Sequence, residues 1–210
     1  MLFRSTGNLG NGGFEASAAG STAPVGWTFT NSLVNLGVST IAGCPSQDHS
    51  FAFYSRILLD SDGDNPLNDN ITGTATSTLT GAVSTSVRAS GANAFRIDAT
   101  VSLPSANQFA VISGPVLVSN AFTATSGQMV SFEYYALARR LNGIVADQVV
   151  LQAYAIKSDC STRVPLIADG SLYSVDTSGS NGLFRLASGT ISSAGQYRIV
   201  IVAGLFDQNN

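Results

Sequence analysis

A chain of 210 residues, of which only 11% are charged, and a net charge of −3 exclude several classes of protein. The length suits one large all-β domain with a full hydrophobic core, or two small domains. Ten basic residues, of which only Arg139 and Arg140 are adjacent, exclude a nucleic-acid-binding surface. No apolar segment approaches the roughly 20 residues that a membrane-spanning helix needs. The sequence therefore predicts neither nucleic acid as a partner nor a membrane span.

The first residues are predicted to form a short edge strand over residues 1–6, followed by a loop rich in glycine and asparagine over residues 7–13. They do not read as a secretory signal peptide, because the long apolar segment and the small-residue cleavage site are both missing. We therefore expect either that a leader has been removed or that none is used.

Apolar and polar residues alternate through the next part of the chain, which is typical of β-strands. Residues 27–30 are predicted to be a strand, and this context places Trp27 in the core. Two further strands are indicated by alternating apolar residues, which are Val34, Leu36 and Val38 in one strand and Phe51, Phe53, Ile57 and Leu59 in the other.

An acidic loop follows, and its oxygen-bearing side chains are spaced closely enough to surround calcium, which prefers six to eight oxygen ligands. The loop departs from the EF-hand pattern, because Asn65 and Ile71 stand where an EF-hand has Gly and Glu. The alternative is a solvated turn rich in Asp and Asn. Calcium is the only candidate cofactor, and its candidate ligands are Asp60, Asp62, Asp64, Asn68 and Asp69.

Threonine occupies every second position from Thr72 to Thr80. Such a row is typical of the solvent-facing side of a strand, since threonine favours strands; the alternative is a flat face that binds a neighbour or sugar. Residues 82–90 are predicted to pair back with this strand across Thr80 and Gly81. Because residues 60–92 contain few large apolar side chains, we predict a hairpin-like insertion there.

Apolar and polar residues alternate more regularly in the second half of the chain. Phe95 and Ile97 begin an apolar face, and Arg96 and Asp98 lie on the opposite face. Turn signals recur about every ten residues and helical periodicity is almost absent, which favours an antiparallel β-sandwich in a single domain of residues 1–210. Further strands are predicted at residues 108–112, 115–124, 129–138, 147–157, 164–168, 183–191 and 196–206.

The last predicted strand, residues 196–206, is apolar on both of its faces, which is typical of a strand covered on both sides. No strand follows it, so we predict that one of its neighbours comes from elsewhere, with residues 1–6 of this subunit or the next as the donor. The alternative is that residues 196–206 lie between two strands of their own chain. The residues assigned to this assembly contact are Leu2, Phe3, Ile199 and Ile201.

Two cysteines, Cys44 and Cys160, both lie in predicted loops. Neither has the spacing of a redox motif, and two cysteines alone do not form a metal site. The sequence is therefore compatible with a disulfide between them and with two free thiols. A disulfide would imply an oxidising exterior.

Catalytic chemistry is not indicated. His49 is the only histidine, and no Gly-x-Ser-x-Gly motif accompanies it to present a nucleophile. Glu133 is the one carboxylate with an aromatic neighbour on each side, and we expect it to be half-buried or on the surface of its strand. The sequence therefore predicts a protein that is not an enzyme.

The opening Asn-Gly-Gly-Phe-Glu at residues 11–15, followed by Gly26 and Trp27, resembles jelly-roll carbohydrate-binding modules. Residues 122–135 and 194–204 are similar to later strands of the same family. The resemblance implies a jelly-roll sandwich, as in polysaccharide-active enzymes, bacterial adhesins and phage structural proteins. It also implies a calcium-binding role for Glu15, although the late Asp that completes this site in the family is missing.

Two functions follow as expectations. The first is a structural protein, namely an outer decoration or attachment subunit of a virion or surface filament, whose partners are copies of itself or other structural subunits. The alternative is a calcium-dependent carbohydrate-binding or adhesion module of a secreted bacterial protein, with a glycan as partner. Both expectations place the protein on a virion or an extracellular surface.

Overall fold

The computed structural model describes residues 2–6, 12–34, 39–46, 76–86, 91–102, 108–136, 148–167, 171–174 and 185–209. Within these ranges every regular element is a β-strand and every strand pairing is antiparallel, which confirms the all-β prediction. None of these ranges contains a helix that could span a membrane. The strands are β1 (Leu2–Thr6), β2 (Trp27–Thr30), β3 (Thr40–Ile41), β4 (Cys44–Pro45), β5 (Thr76–Ser84), β6 (Ala94–Ser102), β7 (Gln108–Ser119), β8 (Phe122–Ala124), β9 (Met129–Tyr135), β10 (Gln148–Lys157), β11 (Arg163–Pro165), β12 (Ser171–Ser174), β13 (Arg185–Thr190) and β14 (Gly195–Asn209).

The strands form two large sheets and one small hairpin. The five-stranded sheet has the order β13-β9-β1-β6-β5. The seven-stranded sheet has the order β11-β10-β14-β7-β2, with β12 also paired to β10 and β8 also paired to β14. β3 and β4 pair only with each other among the described strands.

The two large sheets share one hydrophobic core. Phe95 and Phe132 of the five-stranded sheet belong to the same buried cluster as Leu151 and Ile201 of the seven-stranded sheet. Trp27 is buried in this cluster, as predicted. Two facing sheets with a common core are a sandwich-like arrangement.

The alternation predicted to begin at Phe95 is confirmed where side chains are described. Phe95 and Ile97 are buried, whereas Arg96 and Asp98 are exposed and form an ion pair of 2.8 Å. The strand is therefore apolar toward the core and polar toward solvent, because successive side chains point to opposite faces.

β14 has both of its neighbours within this chain. It pairs with β10 from Gln148 to Lys157 and with β7 along most of its length. The prediction that this strand lacks a neighbour is therefore wrong, and the alternative of a central strand is the one observed. Ile199 and Ile201 are fully buried in the common core and do not form an assembly contact there.

β1 lies inside the five-stranded sheet, between β9 and β6. Leu2 and Phe3 stand opposite Tyr135 and Tyr134 of β9, and also pair with β6. β1 is therefore neither an edge strand nor a donor to β14. The predicted role of Leu2 and Phe3 in covering β14 is wrong, because the backbone of β1 is already bonded on both sides within its own chain.

β5 changes the interpretation of the predicted insertion. It runs through Thr80 and Gly81 without turning and pairs with β6 over all nine of its residues. The predicted hairpin across Thr80 and Gly81 is therefore wrong, and β5 belongs to the five-stranded sheet. Thr78 and Thr80 are exposed, which agrees with a solvent-facing threonine row.

Three other sequence-based predictions have mixed outcomes. β2 has the predicted bounds, whereas β7 continues through the turn expected between residues 112 and 115. β12 was not predicted. The proposed strand from Phe51 to Leu59, most of the one from Val34 to Val38, and His49 lie outside the described residues.

Candidate functional site

The outer face of the seven-stranded sheet is unusually apolar. Its central row consists of Val118 on β7, Val200 on β14 and Tyr154 on β10, which stand opposite one another in the strand register. Val116 and Val202 form the next row, and both are buried. A sheet face of this kind needs a cover that excludes water.

The cover is a short segment, residues 39–46, which we call the flap. Ile41 and Cys44 of the flap are buried in a second cluster together with Val200 and Val202. This second cluster explains why β14 is apolar on both faces: one face lies in the common core and the other lies under the flap.

The flap is a tight hairpin. Ala42 and Gly43 connect β3 to β4, and both have positive φ, of 56° and 80°. Two positive φ values are what a two-residue type I′ turn requires. Gly43 adopts this conformation freely, whereas a residue with a Cβ such as Ala42 adopts it at a cost of about 1–2 kcal/mol. The hairpin therefore needs contacts elsewhere to hold it.

A disulfide supplies the strongest of these contacts. Cys44 of the flap is bonded to Cys160, which lies in the turn after β10, and the Cα atoms are 5.6 Å apart. The two residues are separated by 116 positions in the sequence. The open question of a disulfide or free thiols is thus answered in favour of the disulfide.

The turn that presents Cys160 is ordered by local hydrogen bonds. The hydroxyl and the amide of Ser161 both donate to Asp159 Oδ1, at 2.6 and 2.9 Å. These bonds hold the pKa of the exposed Asp159 carboxyl below its usual range. Cys160 itself has a positive φ of 62° and is exposed, so this end of the disulfide faces the medium.

Two arginines hold flap carbonyls. Arg198 Nη1 donates to Ala42 O at 3.3 Å, and Arg163 Nη2 donates to Pro45 O at 2.8 Å. The Arg163 guanidinium also lies 4.6 Å from the centre of the Tyr154 ring, which is a cation–π contact. The flap is therefore fixed to the sheet by one covalent bond and two cationic donors.

Buried polar groups lie beside this anchor. The Tyr154 hydroxyl and both polar atoms of the Gln152 side chain have no hydrogen-bond partner among the described residues. Burial raises the pKa of Tyr154 to about 12, although the nearby Arg163 opposes part of the rise. Sequence reasoning missed Gln152; the available signal was an amide in the middle of the mostly apolar run from residue 149 to residue 156.

A cleft of about 310 Å³ opens between the flap and β2. Thr28 and Thr30 lie on one side, Val118 contributes to its apolar floor, and Asn120 and Arg198 are polar groups of the lining. Hydroxyl, amide and guanidinium groups over an apolar floor can bind one small polar ligand. This cleft and the flap beside it are the candidate functional site.

Glu15 has a structural contact. The backbone N–H groups of Ala92 and Asn93 donate to Glu15 Oε1 at 2.9 and 3.2 Å. The carboxylate thus connects the turn around Phe14 to the start of β6. Its calcium-binding role stays a prediction.

The predicted calcium loop lies in a part of the chain that the structure does not describe. Asp60, Asp62, Asp64, Asn68 and Asp69 lie outside the described residues, and their role as ligands stays a prediction. In the part of the chain that the structure describes, no group of three or more His, Cys, Asp or Glu residues is arranged to hold a metal ion. Glu133 is half-buried on β9, as expected.

Comparisons with protein-family models, with curated proteins and with solved structures found no match.

Proposed function

We propose that the protein is a non-catalytic structural protein of an exposed surface, namely an outer decoration or attachment subunit of a virion or surface filament. Its fold would be a β-sandwich of jelly-roll type. Its partners would be copies of itself or other structural subunits.

The disulfide between Cys44 and Cys160 is the observation that carries this proposal. Disulfides form and persist mainly in oxidising surroundings and are rare in the cytosol. Because Cys160 is exposed, a reducing medium would reach the bond readily. The bond therefore supports a location on a virion or an extracellular surface.

The character of the surface agrees with this role. Exposed strand positions such as Thr28, Thr30, Thr78, Thr80 and Ser188 carry small uncharged side chains. Protein interfaces are depleted in charged residues, because charges must be desolvated on contact. A surface with few charges thus suits contact between subunits.

Immunogold electron microscopy of the native source tests the proposal. Antibodies raised against the purified protein should label the outside of a particle or filament without permeabilisation. Labelling that appears only after cells are opened, and on no particle, would overturn the proposal. Pre-absorption of the antibody with purified protein is the control.

The cleft favours a second candidate function, a calcium-dependent carbohydrate-binding or adhesion module of a secreted bacterial protein. The hydroxyls of Thr28 and Thr30 and the guanidinium of Arg198 are the groups that would bind sugar hydroxyls or a sugar carboxylate. Val118 would lie under the apolar face of the sugar ring.

A glycan array, run with calcium and with a chelator, tests this second candidate. We expect binding that Arg198→Gln weakens at least tenfold and that Arg96→Gln leaves unchanged, since Arg96 is exposed on the other sheet. An array without hits in either condition removes the carbohydrate-binding function. Binding that the chelator does not affect supports the carbohydrate-binding function and excludes a requirement for calcium.

A further inference from the structure

β5 is the edge strand of the five-stranded sheet among the described strands, and part of its outer edge has no partner among the described residues. Of the strands that the structure describes, only β6 pairs with it. On the other side, Val83 is bonded to a neighbouring loop: its N–H donates to Ser21 O at 2.9 Å, and its carbonyl accepts from Gly20 N at 2.8 Å. These two bonds close the edge at its C-terminal end.

The backbone N–H and C=O groups of Val83 point outward, away from β6, and this shows which other residues of β5 point their backbone groups outward. Backbone N–H and C=O groups alternate between the two sides of a strand, so Ser77, Leu79 and Gly81 point the same way as Val83. No described residue pairs with the outward groups of these three residues. The stretch without a partner among the described residues is thus 76–82, and Leu79 is its middle residue.

This edge lacks the features that keep natural edge strands apart. Such strands are usually short, or carry Lys, Pro or an inward-pointing charge. β5 has nine residues, Thr-Ser-Thr-Leu-Thr-Gly-Ala-Val-Ser, without a charge or a proline. Thr78 and Thr80 are exposed on the solvent face, and Leu79, which faces the core, is only half-buried.

We propose that β5 pairs antiparallel with β5 of a second copy of this chain, about a two-fold axis through Leu79, and joins the two five-stranded sheets into one. This register places Ser77 opposite Gly81 of the second copy, as a hydrogen-bonded pair. Thr78 stands opposite Thr80 of the second copy, in the closely spaced type of pair.

The residues of β5 favour a second copy of the same strand as its partner. The register matches every outward backbone group of Ser77, Leu79 and Gly81 with one from the copy, and it meets no like charge. Facing threonines are a favourable cross-strand pair. The two half-buried Leu79 side chains would cover each other at the axis. A two-fold contact of this kind closes into a dimer.

This inference rests on the proposed function and deepens it, because it names the surface through which copies of the protein associate. In the proposed register, residue 78 of each copy faces residue 80 of the other. Thr78→Lys/Thr80→Lys therefore places lysine opposite lysine at both positions. Thr78→Lys/Thr80→Glu changes the same two exposed side chains but places lysine opposite glutamate.

Analytical ultracentrifugation over a range of concentrations measures the dimer dissociation constant of each variant. We expect the unmodified chain to dimerise and the lysine–lysine variant to dimerise at least tenfold more weakly. The lysine–glutamate variant should dimerise about as strongly as the unmodified chain. Ser188→Lys/Thr190→Lys adds two lysines to exposed positions of β13, the opposite edge of the sheet, and should dimerise like the unmodified chain.

A lysine–lysine variant that dimerises normally, or a lysine–glutamate variant as weak as the lysine–lysine variant, overturns the pairing. An unmodified chain that stays monomeric at all concentrations overturns it too. Thermal unfolding by circular dichroism shows whether each variant is folded. The proposed function fails separately, when immunogold labelling finds no particle or filament.

Discussion

Cys160 holds Cys44 over a sheet face to which the flap has no backbone pairing among the described strands. The two Cα atoms are 5.6 Å apart, although 116 positions separate the residues in sequence. The second hydrophobic cluster, which includes Val200 and Val202, depends on this connection for its cover.

Removing the disulfide should destabilise the protein. We expect Cys44→Ser/Cys160→Ser to lower the free energy of unfolding by about 2–5 kcal/mol, because a long loop is no longer closed in the unfolded chain. Urea unfolding followed by circular dichroism measures the change. A reductant should lower the stability of the unmodified protein similarly and leave the double variant unaffected. Equal stability of both proteins without reductant contradicts the expectation.

The two faces of β14 should respond differently to reduction. Val200→Ala should cost about 1–2 kcal/mol in the oxidised protein, since about 0.8 kcal/mol is lost for each buried methylene group removed. The cost should shrink in reduced protein, because the flap then leaves this face. Ile201→Ala, on the core face, is the matched control and should cost about 2–5 kcal/mol in both states. Equal losses for Val200→Ala in both redox states would show that the flap stays in place without the disulfide.

Tyr154 should make the protein less stable at alkaline pH. An unperturbed tyrosine ionises near pH 10, whereas burial raises the pKa of Tyr154 to about 12. The folded state therefore holds this proton more tightly than the unfolded chain. The free energy of unfolding should fall as pH rises from about 10 to about 12, by about 1.4 kcal/mol per pH unit, and be unaffected below this window.

Tyr154→Phe isolates that effect from the other tyrosines. The variant removes a buried hydroxyl without a described partner, so it should be as stable as the unmodified protein, or more so, at neutral pH. Denaturant unfolding at several pH values should show a shallower alkaline loss in the variant. Parallel pH curves for the two proteins would contradict the expectation.

Gly189 of β13, in the five-stranded sheet, lies close against β11 of the seven-stranded sheet. A Cβ there would lie 2.6 Å from Pro165 O and 2.8 Å from Val164 Cγ1. Ser188 N also donates to Leu166 O at 3.1 Å, which joins β13 to the segment after β11. Gly189→Ala should therefore destabilise the protein by about 1–3 kcal/mol. Ser188→Ala, at the adjacent exposed position, should change the unfolding midpoint little.

Glu15 offers a test of its structural contact against its predicted metal role. Glu15→Ala should lower the free energy of unfolding by about 1 kcal/mol in the presence of a chelator, because two backbone donors lose their acceptor. Calorimetric titration with calcium, before and after the substitution, measures the metal role. A loss of stability that appears only with calcium present would contradict the structural contact as its cause.

The sequence by itself determined the all-β character and the strands in which alternation is clean, such as β2 and β6. Alternation is a local property, since each side chain points to the opposite face from the one before it. It also determined that β14 is buried on both faces. These conclusions needed no knowledge of which strands are neighbours.

Only the tertiary structure shows which strands are neighbours and which segments cover them. The sequence pattern left two alternatives for the neighbours of β14, a strand donated from elsewhere or two strands of its own chain, and it did not show which segment covers the outer face. The observed cover includes Ile41 and Cys44 and is held by Cys160, far away in the chain. Likewise β1 pairs with β6 and β9, not with β14. Such long-range contacts depend on how whole faces pack together, and a periodic pattern within one strand carries no information about that packing.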